Sequence, residues 1–426
     1  MNSSTLYEPN FIYHNRINPL RIGTWKFCIW IFFVGLILTM LLAWMTIYDQ
    51  SELKISKFIN GGILILMILC ILESKIQFKG IYFPIGRVFI SIGLLMGTYA
   101  LFSGRILSEV YYVSKVFFWI VGSIFIYRMT LFGIITKKIL LKAISYIVLF
   151  GSLLTVYFIL NPVREATQNV GVYNLVWCLP FLMLNESKNT KLFLMGIACF
   201  AIALSLKRGA IIAMLTGIIS YYFILFQMEK NIKAIVRLIA MIIISILLFL
   251  MAIFLLNKVK PEFVSYRFRE FNRIEDVKEL GSGRGDFYWL LINNYLDSLD
   301  HSLINFIIGY GSRSSQEVIS KYQYHRVDVD EGDYAHSDWL QFMHDYGLVG
   351  IFFLVLMHIS ILKLIKISYS NRHPYTPQLV MCYSIILLKS LYSGVVFFPH
   401  SIYFGIFIAY FCAVQENNFY STKKLC

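Results

Sequence analysis

The chain has 426 residues, 58% of them hydrophobic and only 15% charged, with a mean hydropathy of +0.67. Soluble domains carry about 25% charged residues, so an ordinary soluble protein, a disordered chain and a coiled coil are excluded, and a multi-span membrane protein remains. A net charge of +14 would raise nucleic acid in a soluble protein; here it raises the question of which membrane face holds the bases.

In chain order, residues 1–23 are polar and lack a signal-peptide pattern. The first apolar run is too long for a cleaved leader and reads as a span. Twelve runs nearly free of charge are expected to be membrane helices, near 27–48, 58–72, 88–104, 110–127, 143–160, 170–184, 192–206, 210–228, 238–256, 347–362, 378–398 and 400–415. About 20 helical residues cross a bilayer core of ~30 Å. The fold class is therefore an all-α polytopic membrane protein. Six of the seven cysteines lie in apolar runs, Cys426 is the last residue, and no CxxC occurs, so they read as apolar filler.

The positive-inside rule sets the orientation. With the N-terminus cytoplasmic, the inside segments hold 20 Lys and Arg and the short outside segments hold 8. Both termini are then expected in the cytoplasm. Residues 257–346 hold no span-length apolar run and fall outside, with ten bases and fifteen acids. A connection this long in a compact protein is usually functional. The expected units are an N-terminal bundle of about nine spans over 1–256, an extracytoplasmic catalytic loop over 257–346 and a C-terminal bundle of about three spans over 347–426.

Within that loop, Gly281-Ser282-Gly283-Arg284-Gly285-Asp286 reads as a turn leading into a helix, with Phe287, Leu290, Leu291, Asn294 and Tyr295 at helical spacing. Arg284 at a helix N-terminus makes a good anion site; equally, it could pair with Asp286. Asp328-Val329-Asp330 contains the letters of a metal motif, but a solvated acidic turn is the better reading, and no metal or cofactor is expected. His336 precedes Trp339, Phe342, Met343 and Tyr346, which fall on one helical face. Its imidazole suits a general base near pH 7, against the plainer reading of a capping histidine. Lys207-Arg208-Gly209 separates two spans with almost no loop. The glycine lets a backbone or ligand approach closely, although a snorkelling cation at an interface is common. Lys389 lies within a span, where an ionisable group is a functional candidate by default. Arg164 opens a short outside loop, beside Glu165.

This layout resembles the superfamily of bacterial O-antigen polymerases (Wzy type) and O-antigen ligases. Leu204-Ser205-Leu206-Lys207-Arg208-Gly209-Ala210 is similar to the family's Ser-x-x-Arg-Gly junction. Ser282-Gly283-Arg284, and His336 followed by Gly347, are similar to its loop signatures. The resemblance implies glycosyl transfer from an undecaprenyl-diphosphate-linked oligosaccharide at the outer face of the bacterial inner membrane. It implies diphosphate binding by Arg208, Arg284 and Arg164, and activation of the acceptor hydroxyl by His336. Arg313 and Lys389 match no motif and stand as speculative additions. Membrane lipid and a polysaccharide chain-length regulator are the implied partners, with no nucleic acid.

A polymerase is the favoured reading and a ligase the alternative. From another class, a flippase for lipid-linked sugars also suits twelve spans, but it would place ionisable groups near the midplane of repeated halves. The topology predicts that a reporter fused near residue 300 responds as extracytoplasmic. A cytoplasmic signal there would invert the orientation.

Overall fold

In the computed structural model, the described residues are 19–49, 55–74, 80–103, 106–161, 171–272, 284–323, 335–397 and 401–423. Arg164, Asp328, Asp330 and Gly281 to Gly283 lie outside them, as does the Arg284 side chain. The described residues form sixteen helices and no strand. In chain order these are α1 (Pro19–Asp49), α2 (Ile55–Glu73), α3 (Phe83–Phe102), α4 (Ile106–Leu131), α5 (Lys137–Leu160), α6 (Val172–Leu182), α7 (Lys188–Leu204), α8 (Arg208–Glu229), α9 (Ile232–Val259), α10 (Pro261–Asn272), α11 (Arg284–His301), α12 (Leu303–Ile308), α13 (Ser314–Gln323), α14 (Asp338–Ser370), α15 (Thr376–Tyr392) and α16 (Ile402–Lys423).

Each expected apolar run falls on its own helix. Among the described residues, seven helices are long and apolar enough to cross a membrane. The segment 257–346 is largely helical, because α10 to α13 and the start of α14 all lie in it. The spacing of Phe287, Leu291 and Tyr295 is explained by α11, where all three are buried. One expected span ends early. The run to 398 stops as a helix at Tyr392, because Gly394 takes a left-handed φ of 82° and its N–H turns back to the Lys389 carbonyl at 2.8 Å.

The core is built around α16, whose residues Ile402 to Val414 are all buried. It packs along α4. Small residues permit the close approach: a Cβ on Gly405 would lie 3.2 Å from the Ser123 Cβ, and one on Gly122 would lie 2.3 Å from Ile402 Cδ1. Phe404 meets Trp119 at 5.0 Å and Trp177 at 5.7 Å, joining α16 to α4 and α6. The perimeter is the reverse. Ile239, Ile243, Leu247, Leu250 and Phe254 of α9 are exposed on a helix of hydropathy 3.2. A continuous apolar face of that kind is stable against lipid and not against water.

Polar ties collect at the two ends. At one end Glu73 accepts from the Trp25 indole at 3.0 Å, Arg128 donates to the Ile71 carbonyl at 2.7 Å, and Glu416 accepts from Tyr127 at 2.6 Å and from the Ile81 N–H at 3.2 Å. At the other, Ser312 donates to Glu109 at 2.6 Å and Tyr99 donates to the Ile308 carbonyl, which fastens α12 and the turn after it over α3 and α4.

The 33-residue α14 is two arms. Gly347 has φ 61° and ψ −151°, outside the helical region. In one straight rod, Trp339 and His358 would stand about 28 Å apart at 1.5 Å per residue. Their rings stack at 5.3 Å. The arm 338–346 therefore folds back along 348–370 and re-enters the bundle. The turn is crowded by backbone. A Cβ on Gly347 would lie 2.5 Å from the Gly309 nitrogen and the Ile307 oxygen, while Gly309, with φ 80°, sits under the Asp345 carbonyl. Tyr310 and Gly311 donate to the carbonyls of His344 and Asp345, both at 3.0 Å.

Gly347→Ala is expected to cost at least ~1–3 kcal/mol from backbone strain alone, before any steric shift. Gly196→Ala, where a Cβ meets nothing within 4 Å, is the matched control. Thermal unfolding of the detergent-purified protein checks this; equal melting temperatures would refute the tight turn.

Candidate active site

Four chain segments meet where the re-entrant arm begins. The first is the junction before α8. Leu206 takes a left-handed φ of 48°, and the Lys207 N–H donates to the Ser205 hydroxyl at 3.2 Å. Lys207 then sits at the helix N-cap without capping it through its side chain. Arg208, half-buried, is the first residue of α8. The N-terminal N–H groups of a helix and its dipole favour an anion. Gly209 allows the approach that its position suggests: a Cβ there would lie 2.7 Å from the Tyr392 ring and 3.1 Å from the Tyr173 hydroxyl. Tyr392 donates its hydroxyl to the Gly209 carbonyl.

The second segment is the last turn of α15. Lys389 is fully buried. Its Nζ lies 3.5 Å from the centroid of Tyr173 and 5.3 Å from that of Trp177. Lys207 Nζ stands 4.7 Å from the same Tyr173 ring. Two lysine side chains thus converge on one aromatic ring. Tyr173 and Trp177 are the third segment, one turn apart at the start of α6. This helix is only eleven residues long, about 16 Å by its rise.

The fourth segment is 335–338. His336 is half-buried and takes a left-handed φ of 51°. Its carbonyl accepts from Tyr288 at 3.0 Å. Tyr288 lies four residues into α11, the helix that Arg284 heads, and Phe287 and Leu291 share a buried cluster with Ala335, so the early part of that helix packs beside this segment. The Ser337 hydroxyl donates to the Ser390 carbonyl at 3.4 Å, and the Trp339 indole donates to the Ser390 hydroxyl at 3.1 Å. Asp338 is fully buried. Its carboxylate accepts from the Val395 N–H at 2.7 Å and from the Val396 N–H at 3.2 Å. Those two N–H groups are left over where α15 ends early. Asp338 satisfies them, which a buried backbone requires.

Arg208, Lys389 and His336 are therefore gathered by their neighbours in one region, and the start of α11 adjoins it. Arg313 is placed elsewhere. Its guanidinium donates to Gln316 at 2.6 Å and lies 3.7 Å from Glu109, so it ties α13 to α4. Asp338, Tyr173, Trp177 and Tyr392 were not singled out from the sequence. For Asp338, the one signal is its position two residues after His336. For Tyr173 and Trp177 it is their spacing of four at the head of a span. Nothing in the sequence pairs Tyr392 with Gly209.

Strain collects here too. Leu206 and His336 are two of only five non-glycine residues with positive φ among the described ones. Each such position costs ~1–3 kcal/mol and persists where the surroundings over-determine it.

A search of curated proteins finds no match. Residues 193–355 match the family model described as O-Antigen ligase. That stretch runs from α7 through the Lys207–Gly209 junction, the helices α10 to α13 and the re-entrant arm to its turn at Gly347, and it holds Arg208, Arg284, Arg313 and His336. Through residues 193–355, the chain is similar to that family.

Proposed function

We propose that the protein is a glycosyltransferase of surface polysaccharide assembly, joining undecaprenyl-diphosphate-linked repeat units at the extracytoplasmic face of the bacterial inner membrane, as an O-antigen or related polymerase. The observation that carries this reading is the meeting of the α8 N-terminus, Lys389 and the 336–338 segment in one region. In this reading the chain crosses the membrane twelve times, both termini are cytoplasmic, and the end holding residues 257–346 faces outward, as the distribution of Lys and Arg supports.

The chemistry needs two things. A hydroxyl of the acceptor glycan attacks the anomeric carbon of the donor, forming a C–O bond and losing its proton. The bond from that carbon to the lipid diphosphate breaks, and the diphosphate leaves with the electron pair. His336 is assigned the proton. Arg208, with the N–H groups at the head of α8, is assigned the charge that develops on the leaving oxygen. Arg284 is assigned a second contact with the diphosphate, and Arg164 a third. Lys389 is given to shaping the floor of the site with Tyr173 and Trp177. Asp338 positions His336 by holding the following residues to the end of α15. Partners in this reading are the lipid-linked oligosaccharide, membrane lipid and a chain-length regulator.

A ligase, with lipid A core as acceptor, is the second reading, favoured by the description of the matching family. A deletion strain separates the two. Loss of a polymerase leaves single repeat units on the core, whereas loss of a ligase leaves polymer on the lipid carrier and none on the core.

Arg208→Ala, Arg284→Ala and His336→Ala are each expected to lower transfer by at least about 10²-fold while the protein still inserts. Gel profiles of the surface glycan read this out, and wild-type chain lengths in all three variants would refute the assignment. Asp338→Ala should destabilise the protein by ~1–3 kcal/mol for each N–H left unpaired, while Asp338→Asn, which keeps one acceptor oxygen, recovers part of that loss. Comparing melting temperatures of the two variants tests it.

A further inference from the structure

A cleft of roughly 640 Å³ opens beside the re-entrant arm, away from Lys389, between the end of α3, the start of α4 and the residues joining α12 to α13. Its volume is in the ~300–1,000 Å³ range of small-molecule sites. Its walls combine three aromatic rings, Tyr99, Phe102 and Tyr310, with two carboxylates, Glu109 and Glu317, and the hydroxyl of Ser314. The nearby Arg313 is held to the Glu109 carboxylate at 3.7 Å, which leaves Glu317 as the exposed acid of the lining.

Tyr310, Glu109 and Ser314 are fixed in place. Tyr310 stacks on the buried His344 at 4.8 Å and donates its hydroxyl to the Asn294 carbonyl at 2.9 Å. Glu109 is 3% exposed and accepts from Ser312 at 2.6 Å. Ser314 is held by His344 at 2.9 Å and Asp345 at 3.0 Å. His344 in turn meets Asn294 at 2.8 Å. A preformed site loses little side-chain entropy when it binds.

Ring faces that accept the C–H side of a pyranose, beside the exposed Glu317 carboxylate and several hydroxyls that can pair with sugar hydroxyls, suit a polyol. We infer that this cleft binds the glycan of the acceptor, as a neutral or amino-sugar oligosaccharide, apart from the diphosphate site; the inference rests on the transfer reading above. The arm 338–346 connects the two places. Its far end holds Tyr310 and Ser314 through His344 and Asp345, and its near end follows His336. It spans about 12 Å at 1.5 Å per residue, a length that a short oligosaccharide covers.

The test uses the full-length protein in lipid nanodiscs. The probe is the phosphate-free oligosaccharide released by mild acid from the lipid-linked repeat units of the cells that make the protein. Binding is followed by saturation-transfer NMR and titration. The wild type should bind. Tyr310→Ala and Glu317→Gln should weaken binding by about tenfold or more. Thr98→Trp, which fills the rim without touching the His344 cluster, should do the same and guards against misfolding of the Tyr310 variant. Arg208→Ala, expected to abolish transfer, should keep oligosaccharide binding. Wild-type affinity in the three cleft variants, or no binding by the wild type, would overturn the inference. Failure of the transfer reading shows separately, as undiminished chain extension in Arg208→Ala.

Discussion

Nine residues of helix run against the direction of the helix that follows them, and the reversal turns on one backbone position, Gly347. The fold around the site depends on it. The fold-back carries Asp338 and Trp339 from the end of the bundle into its thickness, to the level of His358 and Ser390. Without it, the two N–H groups beyond the end of α15 would have no buried acceptor. Gly309 and Gly347 have to meet backbone to backbone for this, so the connection between α12 and α13 and the arm are one structural unit.

The second constraint is the cost of helix ends inside an apolar bundle. Helix termini leave donors and acceptors unpaired, and in lipid each must be satisfied by protein. Around Lys389 the termini of α6, α8, α14 and α15 all stop within reach of one another. The polar groups that answer them, Asp338, Ser337, Ser390 and Tyr392, also define a place where charge can be held. A region built from helix ends is expensive for stability and suited to an anionic, partly apolar substrate.

Much of this is written in local patterns. The apolar runs mark the helices because hydropathy over about 20 residues is a strong signal. The spacing of Phe287, Leu291 and Tyr295 marks α11. What local pattern does not carry is direction and meeting. The apolar periodicity of Phe342 and Tyr346 continues past Gly347 into Leu348 and beyond, so the reversal leaves no break in it. The run through Val395 to Phe397 is as apolar as a span, although Ser393 and Gly394 end the helix before it. Arg208, Lys389 and His336 are each visible as an ionisable residue near an apolar run. Their convergence depends on Tyr173 and Ser390, residues with no distinguishing neighbours. Arg313 was an equally reasonable choice by type, and its pairing with Glu109, two hundred residues away in the chain, places it in a tie between helices.

The central position of α16 bears on how the interior is held together. Its residues pack against α4 and α6, and its Glu416 receives hydrogen bonds from Tyr127 and from the backbone of Ile81. All of these partners precede it in the chain by more than two hundred residues. Tyr127 and the Ile81 N–H both find their acceptor on α16. Among the sixteen helices described, α16 therefore joins the others through contacts of long sequence separation, and the packing of the interior depends on it.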